Sequence, residues 1–188
     1  MNPKLSCLGL LNWNDIPWNA LKVSFLENPL GGDGGLITDS NDSSQSAGVT
    51  YNKDKSIFHA TQWDEDKVID LGSPMGGYSS ASAINNSGQV VGSSRTTNKY
   101  EMGHAILWRN KLAIDLNRFL EKSIANAGWI LGGATDINDN GWIVGGALNP
   151  YTHIYSNFVL IPTPKPDSYS LFLESPGIMG FVARRRKN

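Results

Sequence analysis

The chain has 188 residues and a mass of 20.5 kDa, enough for one sizeable core, and nothing in its length forces a second domain. Twenty glycines, 18 % charged residues and abundant Ser, Asn and Asp favour turn-rich β structure and argue against a helical bundle. Formal net charge is −1; four positive charges sit in Arg184, Arg185, Arg186 and Lys187, so the remainder carries about −5 and lacks the basic face that nucleic-acid binding needs.

Residues 1–22 read as an N-terminal segment or the remnant of a repeat. Cys7 is the single cysteine, which excludes an intrachain disulfide and zinc clusters of several thiolates. The apolar run Leu8–Leu11 is broken by Asn12, Asn14 and Asp15, so no secretory signal is legible there.

From Trp18 onward the dominant signal is internal repetition. Trp18, Trp63 and Trp108 recur every 45 residues. The same interval carries Pro29-Leu30-Gly31-Gly32 onto Pro74-Met75-Gly76-Gly77, His59-Ala60 onto His104-Ala105, and Asp70-Leu71 onto Asp115-Leu116. The segment Ile84-Asn85-Asn86-Ser87-Gly88-Gln89-Val90-Val91-Gly92 returns as Ile137–Gly145, now 53 residues on, which places an insertion of eight residues within 117–133. Phe119, Leu120 and Ile124 recur there at helical spacing behind an Asn117 cap, so a short helix is expected near 117–127, ended by Gly128.

Within one period the chain reads as short strands joined by tight turns. Val90-Val91, Ala105–Trp108, Leu112–Leu116, Trp142–Val144 and Phe158–Ile161 suit buried strands, while Ser87-Gly88 and Asn140-Gly141 read as two-residue hairpin turns. About four strands per 45 residues is the size of a β-propeller blade, and propellers close with 4–8 blades. Residues 18–161 hold about three, so the expected fold is mainly β, built of propeller-like blades that are open, truncated or completed by self-association with a partner.

These landmarks, His59-Ala60-Thr61-Gln62-Trp63, His104-Ala105-Ile106-Leu107-Trp108, Asp70–Gly77 and Ala83–Gly92, resemble the HAF family of extracellular repeat proteins over about residues 23–161. Thr61 and Ile106 stand where that family has its eponymous Phe, so the likeness rests on the surrounding frame. Residues 162–188 resemble a PEP-CTERM sorting tail: Pro164-Lys165-Pro166 as the triad, an apolar stretch Leu171–Ala183, then Arg184-Arg185-Arg186-Lys187. This likeness implies export to the cell surface of a Gram-negative bacterium and an exosortase as partner. Lys165 replaces the family's Glu, and Glu174 and Pro176 interrupt a stretch shorter than the roughly 20 apolar residues that span a bilayer, so this tail is not expected to anchor the chain by itself.

Candidate chemistry reduces to structural roles. His59 and His104, each eleven residues before Asp70 and Asp115, could hold a metal, but residues repeated once per unit more simply bind their own unit's turns. Asp136–Gly141 begins like a calcium loop, yet position 12 is Ala147 rather than Glu, and Asx residues of a hairpin explain it. Ser79, Ser80 and Ser82 form no nucleophile elbow, Gly31–Gly35 has no Lys-Ser/Thr, and Asp64-Glu65-Asp66 reads as a solvated cluster. Trp18, Trp63 and Trp108 mark the repeat core; Trp13, Trp129 and Trp142 are candidates for a surface, with core packing the simpler role. The expectation is a non-enzymatic binding or structural module of the envelope or matrix, without cofactor, whose partner is an extracellular polysaccharide or another protein. A calcium- or metal-dependent hydrolase on the same scaffold and a truncated relic are the alternatives.

Overall fold

The structure, a computed structural model, describes residues 24–162 except 66, 99 and 100. The expected segment 1–22 and, beyond Pro162, the expected tail lie outside the described residues. The described chain is mainly β and forms three antiparallel sheets in which each strand pairs with its neighbour in sequence. Sheet 1 is β1 (Gly35–Ser40), β2 (Gln45–Tyr51), β3 (Phe58–Asp64) and β4 (Lys67–Gly72); sheet 2 is β5 (Tyr78–Ile84), β6 (Val90–Arg95), β7 (His104–Arg109) and β8 (Leu112–Asp115). Sheet 3 has three strands rather than the expected four: β9 (Ile130–Ile137), β10 (Ile143–Asn149) and β11 (Ile154–Leu160).

The sheets stack in chain order, and sheet 2 is covered on both faces. This explains why Val90 and Val91 are both apolar: side chains alternate along a strand, so Val90 enters the core shared with sheet 1 and Val91 the core shared with sheet 3. The first core sets the small Ala47, Ala60 and Ala81 around the large ring of Trp108; the second gathers Val91, Leu116, Leu131, Ile137, Ile143 and Phe158.

The turns differ from the expected two-residue type. Gly88 N–H donates to Asn85 O and Asn85 N–H to Gln89 O, and the same pair of bonds closes Asn138–Trp142 and Asn41–Gln45. Only the last loop residue is left-handed, Gly88 (φ 70°), Gly141 (φ 77°) and, unusually for a non-glycine, Ser44 (φ 61°). These are three-residue loops with a bulge at the left-handed position; Asn140 is a central residue of the preceding ordinary turn, so it needs no positive φ. The hairpin Arg109–Leu112 does use two left-handed residues, Asn110 and Lys111.

A second bulge recurs in the first strand of every sheet. Pairing skips Thr38, Ser82 and Thr135, and Gly48, Gly92 and Gly145 face the break. A Cβ at any of the three would strike the carbonyl oxygen of Leu36, Ser80 or Gly133, so the local backbone approach requires glycine.

The insertion lies where expected but is not one helix. Leu116–Phe119 forms a 3₁₀ turn capped by Asp115, whose carboxylate accepts the Asn117 N–H, and extended Leu120 (ψ 133°) separates it from α1 (Lys122–Asn126). Asn117 is therefore not the cap. Its amide pairs with the backbone of Leu131, donating to the carbonyl at 3.0 Å and accepting the N–H at 2.7 Å, which ties the insertion to β9. Gly128 follows the helix at φ 85°. Among the described residues no helix is long and apolar enough to cross a membrane.

A row of turn asparagines joins the sheets. Asn85 Oδ1 accepts the Ser87 and Gln89 N–H groups of its own turn, while its amide donates to Asn138 O of the next sheet at 3.1 Å. Asn41 repeats this one sheet earlier, donating to Asn85 O at 2.9 Å. Beside it, Asn86 lies between two carboxylates, and its amide donates to Asp42 Oδ2 and Asp139 Oδ2, both at 2.9 Å. Asn85→Ala, which empties a site only 3 % exposed, is expected to lower unfolding free energy by about 2–4 kcal/mol in urea titration, against about 1 kcal/mol for the exposed Asn138→Ala. Equal costs would mean that the bond to the next sheet contributes nothing.

Candidate functional site

The repeated tryptophans and histidines occupy matching places. Trp63 on β3 pairs with Ser46 and Trp108 on β7 pairs with Val90; the rings are 6 % and 2 % exposed. Each indole N–H reaches back to a carbonyl ahead of its own sheet, Trp63 to Glu27 O at 2.8 Å and Trp108 to Leu71 O at 3.1 Å. In sheet 3 the place belongs to Leu160, which pairs with Ile143. Trp18 and Trp13 lie outside the described residues, as do Pro164, Lys165, Pro166 and the Arg184–Lys187 cluster. Trp129 is half-buried against the second core, whereas Trp142 is 46 % exposed, a departure from core packing. Trp142 takes the last position of its turn, held by Gln45 and Gln89 in the other sheets, where the side chain leaves the strand before the buried face begins.

His59 Nδ1 lies 3.0 Å from both carboxylate oxygens of Asp70, and His104 Nδ1 lies 2.6 Å from Asp115 Oδ2. Each pair joins the third and fourth strands of one sheet, and each carboxylate also accepts a backbone N–H two residues on, from Gly72 or Asn117. Sheet 3 has Ser156 at this place. The two dyads do not converge, and among the described residues no three His, Cys, Asp or Glu side chains are grouped to hold a metal ion. The oxygens of the calcium-like segment are engaged too: Asp136 Oδ1 accepts Ile137 N–H, Asn138 Oδ1 accepts Trp142 N–H, and Asp139 accepts the Asn86 N–H and amide.

A site not foreseen in the sequence opens at the far end of the strands from the asparagine turns. Tyr51, Phe58 and Tyr78 form a row across sheets 1 and 2, with successive ring centroids 5.7 Å apart and rings tilted by 49° and 56°. Lys55 Nζ stands 5.3 Å from the Tyr51 centroid and Arg95 Cζ stands 4.9 Å from that of Tyr78, so a cation covers each end of the row. Beside it is a cleft of about 510 Å³ lined by Phe58, Tyr78, Ser80, Ser93 and Arg95. Ser79, also on its wall, is committed to structure: its hydroxyl accepts Ala60 N–H and donates to Gly72 O, clasping the two sheets. The aromatics were legible as residue types, but they fall at different repeat positions, and only the stacking of sheet 2 on sheet 1 lines them up. A smaller hollow of about 230 Å³ between sheets 2 and 3 is lined mostly by apolar side chains such as Leu107, Phe119, Ile143 and Leu160, together with Gln89, Arg109 and Glu121.

Asp115 gives the dyads a measurable signature. Partial burial pushes its carboxyl up, but hydrogen bonds from His104 and from Asn117 outweigh this and hold it below its ordinary 3.8. A carboxyl depressed on folding adds stability that is complete above the ordinary value and is lost as pH falls through the lower folded one. Asp115→Asn is therefore expected to lower the thermal midpoint by about 2–4 °C at pH 7, with the two melting curves converging below pH 3.8. A constant gap down to the acid limit would mean that the charge contributes nothing.

Comparison with protein-family models, with curated proteins and with solved structures finds no match to this chain.

Proposed function

We propose that the chain is a non-enzymatic binding module of the bacterial envelope or extracellular matrix, built of propeller-like blades, and that it holds an acidic polysaccharide in the cleft between sheets 1 and 2. The observation that carries this is the cleft itself: the half-buried Phe58 and Tyr78, with Ser80, Ser93 and Arg95, line a space the size of a sugar residue or two. Aromatic faces pack on the C–H faces of pyranose rings, hydroxyls exchange hydrogen bonds with sugar hydroxyls, and Arg95 and Lys55 offer partners for a uronate or sulfate group.

The propeller-like reading is supported by the order of the parts. Antiparallel meanders of four, four and three strands follow one another, each packs its face on the next, and the same bulge, glycine and asparagine turn recur in all three. Surface localisation and recognition by an exosortase come from the sequence resemblances alone. The His–Asp dyads support structure over catalysis, because they appear twice in one setting and each is tied to its own sheet.

Affinity electrophoresis and calorimetry against neutral and acidic polysaccharides test this reading. Retention is expected on uronate-bearing or sulfated chains, weakened about tenfold or more by Arg95→Ala and by rising salt, and unchanged by a chelator. Binding that requires calcium would favour the hydrolase alternative, and no retention on any acidic polysaccharide would remove the proposal.

A further inference from the structure

Among the described residues the hydrogen bonds that join the sheets are unfinished at both ends of the row, and the two ends match. Sheet 1 holds sheet 2 through Thr38-Asp39-Ser40-Asn41-Asp42. Thr38 Oγ1 donates to Ala81 O at 3.1 Å, Asp39 Oδ2 accepts Ile84 N–H at 2.9 Å, Asn41 donates to Asn85 O, and Asp42 N–H donates to Asn86 Oδ1 at 2.8 Å. Sheet 3 carries the same run, Thr135-Asp136-Ile137-Asn138-Asp139, in the same bulge and turn. Thr135 and Asp136 repeat the local bonds of their counterparts, to Val144 O and from Ile137 N–H, but among the described residues no sheet follows to meet the rest. The apolar positions agree. Val144 is 36 % exposed where its counterparts Ala47 and Val91 are fully buried, and on the outward face of sheet 1 Ile37 is 50 % exposed where Ala81 and Ala134 are buried.

The strands show the same surplus and deficit. Sheets 1 and 2 have a fourth strand beside the third, whereas β11 has none beside it among the described residues. Conversely, Trp108 bonds to Leu71 in the fourth strand of the sheet before it, and Trp63 bonds in the same way to Glu27. The segment Ser24–Asn28 thus stands where the fourth strand of a preceding sheet belongs.

We propose that copies of this chain join head to tail, the outward face of sheet 3 in one copy seating on the outward face of sheet 1 in the next, with the incoming segment 24–28 alongside β11. The two faces are different, so the contact is heterologous and each copy offers both. If each sheet turns like a propeller blade, a closure that rests on the reading above, two copies close a ring of six sheets, within the 4–8 that such rings use. The joint has one flaw that makes it testable. Inside the chain Asn86 separates Asp42 from Asp139, but at the joint Asp139 of one copy meets Asp42 of the next with no amide between them. Asp42→Asn would recreate there the arrangement that Asn86 makes with Asp42.

Light scattering of the full chain across a concentration series, with urea midpoints as a check on folding, reads the outcome. A dimer in equilibrium with monomer is expected; Ile37→Lys and Val144→Lys should each give monomer, and mixing these two variants should restore a one-to-one dimer through the remaining sound pair of faces. Asp42→Asn should tighten the wild-type dimer about tenfold, because it removes a like-charge contact and adds a hydrogen bond. A chain that stays monomeric with and without Asp42→Asn overturns the proposal, as it would if its own residues 1–23 or 163–188 covered these faces. A dimer indifferent to both lysines, or variants that fail to complement, overturns the head-to-tail geometry. Polymers in place of the dimer keep the joint but overturn closure, and the propeller-like reading with it, while leaving polysaccharide binding to its own test.

Discussion

Asn41 and Asn85, which open the turns of sheets 1 and 2, each serve two backbones at once. The side-chain oxygen holds the N–H groups of its own three-residue loop, while the amide donates both to the Gln45 or Gln89 side chain that ends that loop and to the first carbonyl of the same loop in the next sheet. That requirement sets the spacing and orientation of neighbouring sheets before any apolar contact is counted. Aspartate could close its own loop equally well, but it would bring a charge against the next carbonyl; serine would be too short to reach both. The same logic places Asn86 between Asp42 and Asp139, where an amide satisfies two carboxylates that would otherwise face one another.

The packing follows from this spacing. With the turns aligned, the bulges at Thr38, Ser82 and Thr135 fall at one level, glycines are forced opposite them, and the faces that meet present small residues from one sheet to larger ones from the next. The tryptophans of β3 and β7 complete the seam by spanning from one sheet to a carbonyl of the segment before it. At the opposite strand ends no such ladder exists among the described residues. The sheets there are held by the Ser79 clasp and the tilted aromatic row, and that is where the cleft opens. The asparagine turns thus fix the architecture at one end of the strands, and the larger cleft opens at the other.

Much of the architecture was legible because repetition multiplies weak signals. One Asn-Gly or one His-Ala means little, but the same landmarks in the same order predicted the strands β6, β7, β10 and β11, the place of the insertion and the left-handed Gly128. The third copy of the turn, Asn41-Asp42-Ser43-Ser44-Gln45 followed by Gly48, was hidden because Ser44 stands where the others have glycine and Ser46-Ala47 where they have branched apolar residues; only Asn41 and Gly48 are common to all three copies. The turn type was misread because an Asn-Gly pair fits two loop geometries, and only the backbone hydrogen bonds decide which residue takes the positive φ. The helix was read too long since its apolar spacing runs through Leu120, whose extended backbone turns that side chain into the core. The cleft could not be read at all, because its walls come from non-equivalent positions of two units.

The dependence of this fold on the asparagine ladder is most directly tested by amide hydrogen exchange at three turn residues, measured in the Ile37→Lys variant at a concentration where light scattering shows monomer. Asp42, Asn86 and Asp139 are equivalent in sequence and all exposed, yet the first two N–H groups donate to the next sheet and the third, among the described residues, does not. Exchange at Asp42 and Asn86 should be slow, approaching the rate set by opening of the whole sheet stack, while Asp139 exchanges at the rate of a surface loop. Three equally fast amides would show that the turns close without binding one another, and that apolar packing alone sets the order of the sheets.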